Sequence, residues 1–302
     1  MSISHYIKDI GRGKEGARHL SRAQAADLFG QLLDGTVTDL EVGAFCLAMR
    51  IKGETPDEMA GFLDATHQRL RTIPTHHCPT VVLPSYNGAR KLPVLTPLLA
   101  LLLARQGLAV VVHGSATEDR RISTQNVLLA LDLPALTAIT PIAAGEVQFA
   151  PTTLLCPGLA RLLDVRRVVG LRNSAHSLVK LMNPCDGPAT LVTSYTHPEY
   201  AIAMTETLTL TNATALLLRG TEGEPVADAR RTPAMDAIYF GQVTRVQEAQ
   251  TGSLAQLPGL PAPDAVSTAQ WIRRVLDGAI PVPVPLLQQV AHIVHLTTPQ
   301  NG

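Results

Sequence analysis

Aromatic residues make up only 4% of this 302-residue chain, and charged residues only 17%. Hydrophobic residues reach 46%, so the low charge excludes bulk disorder. The low aromatic content leaves a core of Leu, Val and Ala, which suits helices packed on a parallel sheet. There are only four cysteines (Cys46, Cys78, Cys156, Cys185), with no CxxC pair. That excludes a disulfide framework and predicts reduced thiols in a cytoplasmic protein. The N-terminal stretch MSISHYIKDIGRGKEG lacks the apolar core of a signal peptide. The longest apolar run, Val94 to Ala104, is broken by Thr96-Pro97 and is too short to span a bilayer. No membrane partner is expected. G-x-S-x-G, HExxH and G-x-x-x-x-G-K-[ST] are all missing. His76-His77 lies in a linker without a carboxylate or cysteine pair at metal spacing, and no metal is assigned.

Net charge is also lacking. The formal value is zero, so global charge predicts no polyanion partner. The distribution is uneven, however. Ten basic and five acidic side chains between Val82 and Lys180 leave that stretch at net +5. Order alone does not say whether these cations share a face.

The first seventy residues read as helices. Ser21 to Gln24, Thr38 to Glu41 and Thr55 to Glu58 each have capping-box spacing, and Pro56 suits a first helical position. Gly35 and Gly53 mark helix stops. After a linker bracketed by Pro74 and Pro79 the pattern changes. Short apolar runs at 81–83, 109–112, 191–194 and 213–218 alternate with helical segments at about 94–106, 123–131, 158–169 and 198–207. Such alternation predicts right-handed crossovers and a parallel sheet, with ligands at the carboxyl ends of the strands. The ligand-side loops are then 84–93, 113–122, 183–188 and 219–225. The tail at 251–265 and 280–285 is Pro-rich and is expected to be irregular, with one or two helices.

The expected fold class is α/β: a small all-helical domain (residues 1–73), then a larger α/β domain (74–302) with a mainly parallel sheet. Strand, loop, helix and strand in PTVVLPSYNGARKLPVLTPLLALLLARQGLAVVVHG, and the segment from Arg166 to Asn183-Pro184, resemble the TrpD-like family of anthranilate phosphoribosyltransferases and pyrimidine nucleoside phosphorylases. PSYNGARK with LTPLLALLL, and the segment from Arg219 to Pro233, are most similar to its YbiB-type bacterial DNA-binding branch. That resemblance implies a homodimer joined through the helical domains and nucleic-acid binding, DNA or RNA, without strong sequence preference.

The family's diphosphate loop, Gly-Thr-Gly-Gly-Asp, is here rewritten as Pro84-Ser85-Tyr86-Asn87-Gly88, with a single glycine and a proline that has no N–H to offer. Asn87-Gly88 also reads as a plain turn signal. Lys-His-Gly-Asn survives only as His113-Gly114, followed by Ser115. The magnesium-binding Asp-Glu pair falls on Glu224-Pro225, with Glu222 two residues upstream. Ser85, Asn87, Gly88, His113, Gly114, Ser115, Asn183 and Glu224 are thus expected to mark a vestigial substrate cleft, without catalytic residues, metal or cofactor. Arg90, Lys91, Arg120, Arg121, Arg166, Arg167, Arg172 and Lys180 are the candidate phosphate-contacting cations. Base stacking has only Tyr86, Tyr6 and a few others to draw on. The alternative is a phosphoribosyl- or glycosyltransferase with an atypical site that uses Mg. A third reading is a protein-interaction scaffold built on the same cleft.

Overall fold

A computed structural model of the chain describes residues 2–116, 118–254 and 259–298. Five helices come first: α1 (Ser4–Ile10), α2 (Gly13–Gly16), α3 (Arg22–Asp34), α4 (Asp39–Lys52) and α5 (Pro56–His67). All three expected capping boxes form. Ser21, Thr38 and Thr55 each accept from the N–H of the third helical residue, whose side chain accepts from the cap N–H in return. Gly35 ends α3 in the left-handed conformation (φ 69°), which costs glycine no Cβ clash.

Phe29, Phe45 and Phe62, one from each long helix, are fully buried, with ring centroids 4.6, 6.0 and 6.2 Å apart. Glu58 in α5 is also fully buried. Its carboxylate accepts from Leu20 N (2.9 Å), Thr55 N (2.9 Å) and the equally buried Lys52 ammonium (2.6 Å). One side chain thus caps α5 and ties down both the α4–α5 turn and the entry to α3.

The seven strands are β1 (Thr80–Ser85), β2 (Ala109–Gly114), β3 (Val147–Pro151), β4 (Thr190–Tyr195), β5 (Ala215–Arg219), β6 (Met235–Tyr239) and β7 (Gln242–Gln247). They form one sheet in the order β3-β2-β1-β4-β5-β6-β7. The pairings from β3 through β5 are parallel, and β6 and β7 add an antiparallel edge. The remaining helices are α6 (Thr96–Arg105), α7 (Thr124–Ala130), α8 (Thr152–Leu155), α9 (Pro157–Val169), α10 (Ala175–Leu178), α11 (Pro198–Leu210), α12 (Ala265–Leu276) and α13 (Val284–Thr297).

Strand alternation divides the core. Val81, Leu83, Val110, Val112, Leu216 and Leu218 face α6, α7, α12 and α13. Val82, Val111, Leu191 and Leu217 face the other way, into a core continuous with the N-terminal helices. The helical layer is therefore seated on the sheet through α9, α10 and α11.

All four expected strands are present. Three others were not expected. β3 is a five-residue edge strand ending in Pro151, a length and ending that carry little strand signal. β6 and β7 are joined by Phe240-Gly241, both at positive φ (47° and 70°), which makes a tight hairpin turn without the usual Asn-Gly cue. The C-terminal part holds two helices, as expected. Residues 255–258 of the Pro-rich stretch, including Pro258, lie outside the described residues. The four cysteines are unpaired; three are buried and Cys78 is half-buried. No helix among the described residues is long and apolar enough to cross a membrane.

Replacing Glu58 with Ala leaves the Lys52 ammonium buried without a counter-charge, and a loss of about 3–5 kcal/mol is expected. Urea denaturation measures it; a change within about 1 kcal/mol would show that the pair contributes little.

Candidate functional site

The carboxyl ends of β1, β2, β4 and β5 meet at three loops. Residues 86–95 follow β1, 115–123 follow β2 and 220–225 follow β5. Their centre is the Glu224 carboxylate, which is only 1% exposed. Oε1 accepts from the backbone N–H of Asn87 (2.9 Å) and Gly88 (2.8 Å). Oε2 accepts from the hydroxyls of Thr96 and Thr124 (both 3.2 Å) and from Ser85. Five donors on three segments thus converge on one anion.

Glu222 does the same for the next part of the loop. Its Oε1 accepts from the N–H of Arg90 (3.2 Å), Lys91 (2.8 Å) and Leu92 (2.9 Å), and Oε2 accepts from Arg121 Nη1 (3.4 Å).

The strand ends are built for this approach. A side chain on Gly223 would strike Asn87, and one on Gly114 would strike the Ser85 carbonyl. Gly223 O accepts from Ser194 Oγ (2.9 Å) and Lys180 Nζ (3.2 Å). Farther along, Gln289 of α13 accepts from Ala227 N (2.8 Å) and donates to Pro225 O (2.9 Å). The Glu222–Glu224 loop is therefore clamped from both sides.

Ser85, Asn87, Gly88 and Glu224 of the expected cleft come together, then, but around an internal carboxylate. Other expected cleft residues are placed differently. His113 is fully buried, with Nδ1 2.7 Å from the Tyr86 hydroxyl. Burial pushes its pKa down to about 3, so it is neutral throughout the physiological range. Gly114 permits the close approach of β1 and β2, and Ser115 lies half-buried just beyond. Asn183 holds its own turn, donating to Gly187 O (3.1 Å) and accepting from Cys185 N (3.0 Å). Tyr86 is buried and also bonded to Thr152 (2.9 Å), so it offers no ring face for stacking.

The eight candidate cations also separate. Arg121 pairs with Glu118 (2.5 Å), and Arg166 pairs with the same carboxylate. Arg167 pairs with Asp119 (2.8 Å) and Asp164 (3.5 Å). Lys180 turns inward, donating to Ser194 O (3.0 Å) and Gly223 O; burial lowers its pKa to about 8 against the opposing charge of Glu224. Arg90, Lys91 and Arg120 are exposed, and with Arg172 they have no ion-pair partner among the described residues. Burial, then the nearby Arg166, lowers the Arg172 pKa. Sequence order hid these pairings because the acids at 118 and 119 precede the arginines at 120 and 121 in a loop whose path is not readable from spacing.

A cavity of about 390 Å³ lies between the α4–α5 turn and the β4–α11 loop, lined by Arg50, Glu54, Arg172, His176, Lys180 and Tyr200 among others. Burial raises the Glu54 pKa and lowers that of His176 to about 4. Sequence reasoning did not foresee this cavity, because it forms only where the helical layer meets the sheet.

The helical-bundle domain of the glycosyl transferase family matches residues 4–69. The YbiB protein of Escherichia coli K12 is 40% identical over 305 residues, spanning 96% of this chain and 93% of the relative. The chain belongs to the TrpD-like family. An anthranilate phosphoribosyltransferase of Nocardioides is 27% identical, over 86% of this chain and 78% of the relative. Among solved structures, TrpD from Thermus thermophilus superposes with a TM-score of 0.76 at 22% identity, covering 97% of this chain and 88% of that one. The Saccharomyces cerevisiae enzyme in complex with PRPP and Mg gives 0.70 at 13% identity, with the same coverage. These two structural likenesses show the fold.

Phosphoribosyl diphosphate and magnesium, the ligands of a TrpD-like enzyme, do not fit the residues present. A diphosphate needs free backbone N–H groups and the metal needs carboxylate oxygens directed at it. Here Glu222 and Glu224 occupy those N–H groups, and their own oxygens are taken up in doing so. Replacing Glu224 with Ala strands five donors and is expected to cost about 3–5 kcal/mol in urea denaturation. A loss under about 1 kcal/mol would mean that the carboxylate does not hold the loops.

Proposed function

We propose that this TrpD-like protein binds nucleic acid, DNA or RNA, with low sequence specificity, as a cytoplasmic homodimer that has lost phosphoribosyl transfer. The observation that carries this reading is the filling of the anion-binding loop by Glu222 and Glu224. What the fold offers to an external polyanion is then the rim. Arg90, Lys91 and Arg120 are exposed there, and Arg172 stands nearby at the cavity. These four replace the sequence-derived set of eight, since the other four cations are ion-paired or turned inward. Phosphate contacts of this kind neutralise charge and release counterions without reading bases.

Dimerisation is supported by α4. Leu40, Leu47 and Ile51 are 83%, 49% and 51% exposed, and their spacing of seven and four places them on one helix face. Covering that stripe with its copy on a second chain would remove apolar surface from water. Leu47→Glu with Ile51→Glu is expected to convert the protein to monomers in sedimentation equilibrium; an unchanged mass would remove α4 from the interface.

Fluorescence anisotropy with a labelled single-stranded oligonucleotide, at two salt concentrations, tests the binding reading. Each phosphate contact contributes about 0.7 to the salt slope on single strands, so changing Arg90, Lys91 and Arg120 together to Ala should reduce the slope by about 2. Arg167→Ala, which removes a paired side chain, should leave it nearly unchanged. Absence of binding at low salt sinks the reading.

One observation favours a second reading, a transferase with an atypical site. The cavity of about 390 Å³ presents Arg172 and Lys180 beside Tyr200 and three methionines, a setting for a small organic acid. Stabilisation by phosphoribosyl diphosphate with magnesium, enhanced by anthranilate, would favour it over the first.

A further inference from the structure

Among the described residues, Lys180 is the lysine that lines the cavity between the helical layer and the sheet. Its Nζ donates to two backbone carbonyls, Ser194 O (3.0 Å) and Gly223 O (3.2 Å). It has no carboxylate partner among the described residues. A neutral amine carries two hydrogens and one lone pair, whereas an ammonium carries three hydrogens. Two carbonyl acceptors therefore satisfy the neutral form and leave its lone pair free, while an ammonium keeps one hydrogen without an acceptor. We infer that Lys180 is a nucleophilic amine that condenses with a small aldehyde in this cavity to form an imine. The inference stands apart from the nucleic-acid reading, whose exposed rim cations it does not use.

The surroundings keep this amine reactive. Burial lowers the Lys180 pKa to about 8; the Glu224 charge opposes that effect and the Arg172 charge adds to it. At pH 7 this leaves about 300-fold more neutral amine than a lysine at 10.5 would have. Glu224 does not pair directly with Nζ, because its two oxygens are already held by five donors. Desolvated lysines beside a second cation are suited to Schiff-base chemistry for this reason. The other lysines differ. Lys52 is buried in its ion pair with Glu58, and Lys8 and Lys91 stand exposed in water.

The cavity has room and an entrance. Its volume is about 390 Å³, and exposed Arg50 and Tyr200 are among its lining residues. Met49, Met59 and Met204 give it an apolar wall that suits a small hydrocarbon body. His176 lines the same cavity and is only 9% exposed, yet its Nε2 has no hydrogen-bond partner among the described residues. Buried polar atoms are rarely left unbonded. A second oxygen on the aldehyde supplies a partner for that nitrogen.

The step balances without a further reactant. The Nζ lone pair attacks the carbonyl carbon, and the carbonyl π electrons move to oxygen. Proton transfer from nitrogen to that oxygen gives a carbinolamine. The C–O bond then breaks, water leaves, and the nitrogen lone pair forms the C=N bond. Nothing is oxidised or reduced. The protonated imine retains one N–H, for which Ser194 O or Gly223 O serves as acceptor, and its charge is the one that Glu224 already opposes.

Salicylaldehyde is the probe, since its ring fits an apolar wall and its hydroxyl offers the second oxygen. It is added to the native protein at pH 7 with cyanoborohydride, which delivers hydride to the imine carbon and fixes the adduct as a secondary amine. Peptide mass spectrometry then locates the label. Lys180 is expected to carry at least about tenfold more label than exposed Lys8 or Lys91. Without the reductant, the imine absorbance band should appear in the native protein and be lost in Lys180→Arg, which keeps the charge and the N–H donors but not the nucleophile. Labelling of Lys8 and Lys91 should be the same in that variant. The map of the native protein needs no substitution, so it decides the matter if the Arg variant does not fold. A preference for Lys180 below tenfold, or no label there at all, overturns the inference. So does an imine band that persists in a folded Lys180→Arg.

Discussion

One buried carboxylate, that of Glu224, organises the ligand end of this protein. Its five donors come from the β1 loop, the start of α6 and the start of α7, while Glu224 itself follows β5. Buried N–H groups must find an acceptor. In a loop that waits for a ligand, that acceptor arrives from outside, and glycine is needed for close approach. When a side chain supplies the anion permanently, the loop is free to carry Pro84, Tyr86 and Ala89 and to bury them. The rewritten loop and the inward Glu224 are thus one change seen from two sides, and Gly223 is the glycine that the new arrangement requires.

The same local neutralisation runs through the basic middle of the chain. Its net +5 does not become one cationic face, because Glu118 and Asp119 fold back onto Arg121, Arg166 and Arg167. Exposed pairs such as Arg167 with Asp119 contribute little to stability, about 0–1 kcal/mol, yet they decide which cations remain for a partner. The remaining ones cluster at the loop after β1 and at Arg120. A neutral protein can in this way keep a small cationic rim.

The helical layer and the α/β part depend on each other for their cores. Phe29, Phe45 and Phe62 form a centre that continues through Leu159 and Leu178 to the sheet. The cavity lies along that seam, so its lining comes from both parts. Ser174 Oγ donates to Glu54 across it at 2.5 Å, which links the α4–α5 turn to the segment before α10.

Much of the framework was legible in the sequence, because it rests on local chemistry. Capping boxes at Ser21, Thr38 and Thr55 act within one helical turn. The apolar runs of β1, β2, β4 and β5 are buried on both faces and read as strands without reference to their partners. The short β3 and the β6–β7 hairpin were not legible: their pairing comes from neighbours already in the sheet, and Phe240-Gly241 gives no turn cue. The string from Arg219 to Pro233 and the altered loop at 84–91 marked the family and the loss of the glycine cradle. What filled the cradle was decided only by the tertiary structure. The contacts of Glu222 and Glu224 with residues 85–92 span 130 to 139 positions of chain. Hydrogen bonds over that distance depend on how β5 is laid beside β4 and β1, which no local spacing encodes.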